Sequence, residues 1–217
     1  MNVRIEFSYI TPKGTETSFS SDDVRAAKAL LLAEDLEKSG RAKDIVLVDK
    51  YENKWTTKEM MKQMEAIKTE PHEVIVYFDG GFDRTTGNAG LGCAIYYEQD
   101  GKSWRQRQKA LVEELETNNE AEYAALHLAV QELELMGVHH LTVTFAGDSQ
   151  VVINQLKGEW PCYEAILNDW ADRIESVFAR IGIDPEYKLV SRKYNQEADR
   201  LASQGLNGID VTSTIEL

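Results

Sequence analysis

Two apolar runs, VIVYFD from Val74 and LTVTFAGD from Leu141, each end in an aspartate. Between them lie a Gly80-Gly81 pair, the run GCAIYYE, the hairpin signal Asp100-Gly101, the run SWRQRQKAL and the amphipathic stretch NNEAEYAALHLAVQELELMG. The change from alternation to helical spacing predicts three strands, a helix stopped by Gly137, and a fourth strand. By the same alternation Arg105, Arg107 and Lys109 share one face of the third strand. Beyond Asp148, SQVVINQL predicts a helix opening at Ser149. A longer helix follows between Tyr163 and Ile181, then a fifth strand EYKLVSR and a last helix NQEADRLASQGL. The order is βββαβααβα, and no segment repeats.

The first 70 residues have a different pattern. VRIEFSYI alternates as a strand, Pro12-Lys13-Gly14 signals a turn, and TETSF returns. Ser20, Ser21 or Asp22 is expected to cap a helix ending before Gly40. DIVLVD reads as a buried strand. Thr56 and Glu59 have capping-box spacing ahead of a second helix through Ile67. The charged stretch Lys68 to Glu73, with Pro71 inside it, reads as a linker. The expected organisation is a small α+β domain over 1–70 and a second domain over 73–217.

Composition narrows the class. With 42% hydrophobic residues the chain can build a packed core. No apolar run approaches the ~18 residues of a membrane span, and the opening MNVRIEFSYI lacks signal-peptide features. Cys93 and Cys162 form neither a disulfide framework nor a zinc cluster, so reduced thiols in a cytoplasmic protein are expected. The net charge of −13 argues against a polyanionic partner. It is unevenly spread: residues 1–70 carry 12 Lys/Arg against 13 Asp/Glu, and residues 71–217 carry 12 against 24. Either the second surface is generally acidic or some carboxylates gather to hold cations.

Four acids stand in patterned settings: Asp79 and Asp148 where apolar strands leave the core, Glu122 one turn into the long helix, and Asp199 on the first turn of the last one. Each has an ordinary explanation, as a strand end, a cap or a favourable dipole contact. If the two aspartate-bearing strands are neighbours, their like charges repel unless protonated or bridged by a hard divalent cation. Glu116 and Glu120 are read as a solvated acidic turn.

YFDGG at Asp79, TNNEAEY with Glu122, GDSQ with Asp148 and NQEADRLA with Asp199, in this order, resemble the type 1 ribonuclease H family over roughly residues 73–206. The resemblance implies an α/β fold with a five-stranded mixed sheet flanked by helices. It implies Mg²⁺-dependent endonucleolytic cleavage of the RNA strand of RNA–DNA hybrids, leaving a 5′-phosphate and a 3′-hydroxyl. The four acids would hold two Mg²⁺ ions, with Mn²⁺ as a substitute. Asp79 would bridge both, Asp199 would serve the water-activating site, and Glu122 with Asp148 the leaving-oxygen site. Contacts to RNA 2′-hydroxyls would fall to the backbone at Gly80 and Gly81 and to Asn118, Asn119 and Gln150. Capping is the alternative role for either asparagine.

The sequence also departs from that family. Where many members have a loop histidine before the last helix, this chain has Arg192 and Lys193. Where some have a basic protrusion, LKGEWPCYEAILNDW offers Lys157 alone, with Trp160 expected first in the core and otherwise stacked on a sugar. Residues 1–70 do not show the aromatic and glycine pattern of the family's hybrid-binding module. Lys50, Lys54, Lys58 and Lys62 around Tyr51 and Trp55 read first as a solvated face, then as a binding surface, and self-association is a further expectation. Two rival functions remain: a weakly active or non-catalytic hybrid-binding protein, and a DNA nuclease or transposase-like enzyme of the same broad fold.

Overall fold

A computed structural model describes residues 1–208 and 212–217. Residues 209–211, part of the second expected domain, lie outside the described residues. The chain divides into two compact units, Met1–Thr69 and Glu70–Leu217.

In the first unit β1 (Asn2–Ile10), β2 (Glu16–Ser20), β3 (Val24–Arg25), β4 (Ala42–Asp49) and β5 (Lys54–Trp55) form an antiparallel sheet with α1 (Ala26–Ser39) and α2 (Thr57–Thr69). The order across it is β2-β1-β4-β5, with β3 also on β1. Val3, Ile5, Ala26, Ala29, Leu47 and Met60 make its core. Gly40 ends α1 at φ 67°, a left-handed position that glycine adopts without steric cost. The Thr56–Glu59 capping box forms in both directions: the Glu59 N–H donates to Thr56 Oγ1 at 3.2 Å and the Thr56 N–H to Glu59 Oε2 at 2.9 Å. The expected cap of α1 does not form. Ser21 Oγ accepts instead from the Ile5 N–H at 2.9 Å, which ties that segment to β1 and delays the helix to Ala26. Lys54 lies in β5 beside Glu6, so it does not share a helical face with Lys58 and Lys62.

The second unit is a mixed sheet of β6 (His72–Asp83), β7 (Asn88–Gln99), β8 (Lys102–Val112), β9 (Thr142–Gly147), β10 (Asp184–Leu189) and β11 (Ser213–Glu216). Its order is β10-β9-β6-β7-β8-β11. Along β6, β7, β8 and β11 each strand is antiparallel to its neighbour, while β9 and β10 run parallel to β6. The helices are α3 (Asn118–Leu135), α4 (Gln150–Leu156), α5 (Ala165–Ile181) and α6 (Gln196–Leu206). Five of the strands and all four helices follow the expected order. The sixth strand does not come from an apolar pattern. STIE pairs through its backbone with Trp104–Arg107 on the edge of β8, and its side chains are mostly exposed. No described helix is long and apolar enough to cross a membrane.

Two helices grip the sheet from opposite faces. A Cβ on Gly80 would overlap the backbone of Ala121 and Glu122 in α3, whereas one on Gly81 would point at Leu206 and Ala202 of α6. Successive strand residues face opposite ways, so α3 and α6 sandwich β6. The approach of α6 is equally close at β7. A Cβ on Gly92 would stand 2.5 Å from both the Ala198 carbonyl oxygen and the Ala202 nitrogen. The first turn of α6 is tethered as well. Glu197 accepts a hydrogen bond from the Tyr96 hydroxyl and pairs with Arg105 at 3.1 Å. Arg107, on the same face of β8, reaches Ser213 of β11 at 2.9 Å.

Candidate active site

β6 runs on through Gly80 and Gly81 to Asp83, so Asp79 is not the end of its strand. What stops there is pairing with β9, which covers only Ile75–Tyr77. Asp148 follows the last residue of β9 directly. A Cβ on Gly147 would press into the Phe78 ring, so the bare glycine lets the two strands that lead to the aspartates lie side by side there. Glu122 enters from α3, whose first turn is capped by Thr117 accepting from the Glu120 N–H at 3.1 Å. Ligand oxygens of Asp79, Glu122 and Asp148 all fall within 4.8 Å of one another. Asp199, four residues into α6, lies outside that trio and is exposed, yet its charge is felt at Asp79.

The electrostatics are those of crowded, desolvated carboxylates. Asp79 is pushed up to about 7, first by burial, then by the charges of Asp148 and Asp199. Glu122 is raised well above the carboxylate range by burial and then by Asp79 and Asp148, while the Gly80 backbone N–H and Arg192 oppose this. Glu122 Oε2 is buried with no hydrogen-bond partner among the described residues. Once ionised that oxygen can only accept, and left bare beside two more acids it fits a hard divalent cation, which prefers carboxylate ligands.

The remaining expected residues sort by location. Because Thr117 takes the capping role, exposed Asn118 and half-buried Asn119 are not needed for it. Gln150 opens α4, exposed, beside the cap residue Ser149. Gly80 acts first within the fold, by letting α3 close on β6, and Gly81 faces α6.

Two expectations are corrected. Glu120 is 3% exposed, not solvated. It accepts from the Glu116 N–H at 2.8 Å and from Trp170 Nε1 of α5 at 3.1 Å, which pins the first turn of α3. Trp160 is 43% exposed and Tyr163 is 89% exposed, so the link between α4 and α5 presents aromatics to solvent instead of burying them. One residue that the sequence reading passed over is Asn195. It is 1% exposed and donates from Nδ2 to the Phe78 carbonyl at 3.0 Å, fixing the loop before α6 to β6. Its place four residues before Asp199 within NQEAD was the available signal.

Comparison with known proteins agrees with this fold. The family described as reverse transcriptase-like matches residues 77–205. The uncharacterized protein YpeP of Bacillus subtilis (strain 168) is 41% identical over 204 residues, which is 94% of this chain and 90% of that one. Among solved structures, RNase H1 of the halophilic archaeon Halobacterium salinarum NRC-1 is similar at 26% identity and a TM-score of 0.53, covering 62% of this chain and 98% of that one. LC11-RNase H1 in complex with an RNA/DNA hybrid is similar at 26% identity and a TM-score of 0.56, covering 63% and 98%. Sheet order and these matches together make the chain a member of the reverse transcriptase-like family, a ribonuclease H-like family.

Proposed function

We propose that this protein is an endoribonuclease that hydrolyses the RNA strand of RNA–DNA hybrids with Mg²⁺. The carrying observation is the trio Asp79, Glu122 and Asp148, brought within 4.8 Å from three separate elements with Asp79 raised to about 7. Such a cluster is unbalanced without a cation. Asp79, Glu122, Asp148 and Asp199 are the residues that would hold two ions. When bound, divalent ions supply Lewis-acid stabilisation of the attacking and departing oxygens in phosphodiester hydrolysis. Asn118, Asn119 and Gln150 offer amides that donate and accept, as a 2′-hydroxyl requires. Backbone contacts at Gly80 and Gly81 belong to the same reading. LC11-RNase H1, a similar fold, is known in complex with an RNA/DNA hybrid, which supports the same substrate class here. A cytoplasmic location, with free Cys93 and Cys162, belongs to this reading.

A second reading keeps the fold but makes the chain a weakly active or non-catalytic binder of hybrids. It is favoured by the 12 Lys/Arg against 24 Asp/Glu of residues 71–217, because phosphate contacts from basic residues dominate nucleic-acid affinity. Purified protein with an end-labelled hybrid, duplex RNA and duplex DNA, in Mg²⁺ or Mn²⁺, separates the readings. We expect cleavage of the hybrid alone, and loss by orders of magnitude in Asp79→Asn with binding kept. Binding without cleavage in either metal would favour the second reading, and cut duplex DNA would point to a DNA nuclease.

A further inference from the structure

The loop between β10 and α6 is an arch with both feet on the strands that carry the acids. At one foot the Val190 N–H donates to the Gly147 carbonyl at 3.0 Å, one residue before Asp148. At the other, Asn195 Nδ2 donates to the Phe78 carbonyl at 3.0 Å, one residue before Asp79. Between them the Tyr194 N–H bonds the Ser191 carbonyl at 2.8 Å and the Asn195 N–H that of Arg192 at 3.1 Å, winding the crown into a 3₁₀ turn, Arg192–Tyr194. This crown holds Arg192 Nε 3.7 Å from Asp148 Oδ2, with the arginine side chain 96% exposed and that of Asp148 11%. The arginine's charge also reaches Asp79 and Glu122, where it favours the ionised forms.

We infer that Arg192 is a built-in counter-cation of the acid cluster, displaced from Asp148 when a divalent ion binds and thereby freed to grip a phosphate of the substrate strand. The competition for Asp148 follows from the geometry; the phosphate step rests on the nuclease reading. A guanidinium and a divalent ion repel each other, so each weakens the other's hold on a shared carboxylate. An ion pair this long, whose arginine is almost wholly exposed, is cheap to break on the arginine side, and the side chain that must move is open to solvent. Once released, the guanidinium is a planar fork suited to two phosphate oxygens, unlike the point charge of a lysine. Lys193, on the same crown, lies 6.0 Å from the Tyr194 ring and serves as the internal control.

Calorimetric titration of the full chain with MnCl₂, without nucleic acid, tests the competition. Removing one positive charge beside the cluster should tighten Mn²⁺ binding about threefold to tenfold in Arg192→Ala, with less than a twofold change in Lys193→Ala. On hybrid cleavage, Arg192→Ala and Arg192→Lys should both raise KM severalfold, because the lysine keeps charge without the fork. Arg192→Ala binding Mn²⁺ no more tightly than the wild type, or Lys193→Ala tightening it equally, would overturn the proposal. If Asp79→Asn and wild type bind Mn²⁺ alike, the acids are not the cation site, and the proposal falls together with the nuclease reading. If Asp79→Asn loses binding while Arg192→Ala is unchanged, only the proposal about Arg192 falls.

Discussion

Asp79 is a carboxyl whose folded state holds its proton more tightly than an unfolded chain does, and this has a definite sign. An unfolded aspartate titrates near ~3.9, whereas Asp79 is raised to about 7. The folded, metal-free protein therefore incurs no penalty from this group below ~pH 4. It loses stability progressively as pH climbs to about 7 and stays low above it. The loss is on the order of a few kcal/mol, and Glu122, also raised, adds in the same direction. Carboxylates held low by partners, such as Glu52 and Glu6 beside Arg4, contribute in a different window. Their stabilisation disappears only as pH falls through the acid range. We expect the melting temperature in chelator to drop between pH 5 and pH 8, Asp79→Asn to flatten the curve, and Mg²⁺ or Mn²⁺ to restore the alkaline side. A chelated wild type whose melting is flat over this range would contradict the electrostatic account. Glu120 and Glu122, two residues apart, should also behave oppositely. Glu120→Gln leaves metal binding intact but lowers melting by disturbing its bonds to Glu116 and Trp170, at about 1–3 kcal/mol. Glu122→Gln weakens metal binding and relieves repulsion, with no such loss of stability.

Among elements, α6 shows how backbone contact can set chemistry at a distance. It lies on β7 so closely that Gly92→Ala must push it off the sheet, because the new methyl meets backbone atoms and not a flexible side chain. We expect a cost of about 1–3 kcal/mol or more and a fall in cleavage, since Asp199 travels with the helix. A crystal structure or a pair of distance labels on α6 and β8 would show the displacement. Much of this layout was legible beforehand. The strands around Asp79 and Asp148 are apolar because they are central in the sheet, and TNNEAEY announces a capped helix. What stayed hidden depends on partners far along the chain. The burial of Glu120 comes from Trp170, fifty residues later, and looks from sequence like an ordinary acidic first turn. β11 carries no apolar alternation, since it pairs by backbone on an open edge. Trp160 was expected inside because lone tryptophans usually are, and only the fold shows that the core closes without it. Gly147 is needed for the ring of Phe78, a contact between strands that no local pattern encodes.

For the whole molecule, two units with separate cores make the role of the first an experimental question. If Met1–Thr69 supplies affinity that the acidic second unit lacks, deleting it should raise KM more than it lowers kcat. The salt dependence of hybrid binding should then become shallower. If it instead pairs chains, sedimentation changes beyond the mass removed while KM and salt slope hold. The second unit carries one more consequence, in its order of synthesis. Its acids come from β6, α3, the end of β9 and α6, and the parallel pairing of β6 with β9 waits for all of α3. A chain leaving the ribosome can fold its first unit and the β6–β7–β8 meander early, as local antiparallel pairs form fastest. It cannot bring Asp199 to the other three acids until α6 has emerged. A chain halted before α6 would thus lack Asp199, and on the nuclease reading it should not cleave a hybrid however well its β6–β7–β8 meander has formed.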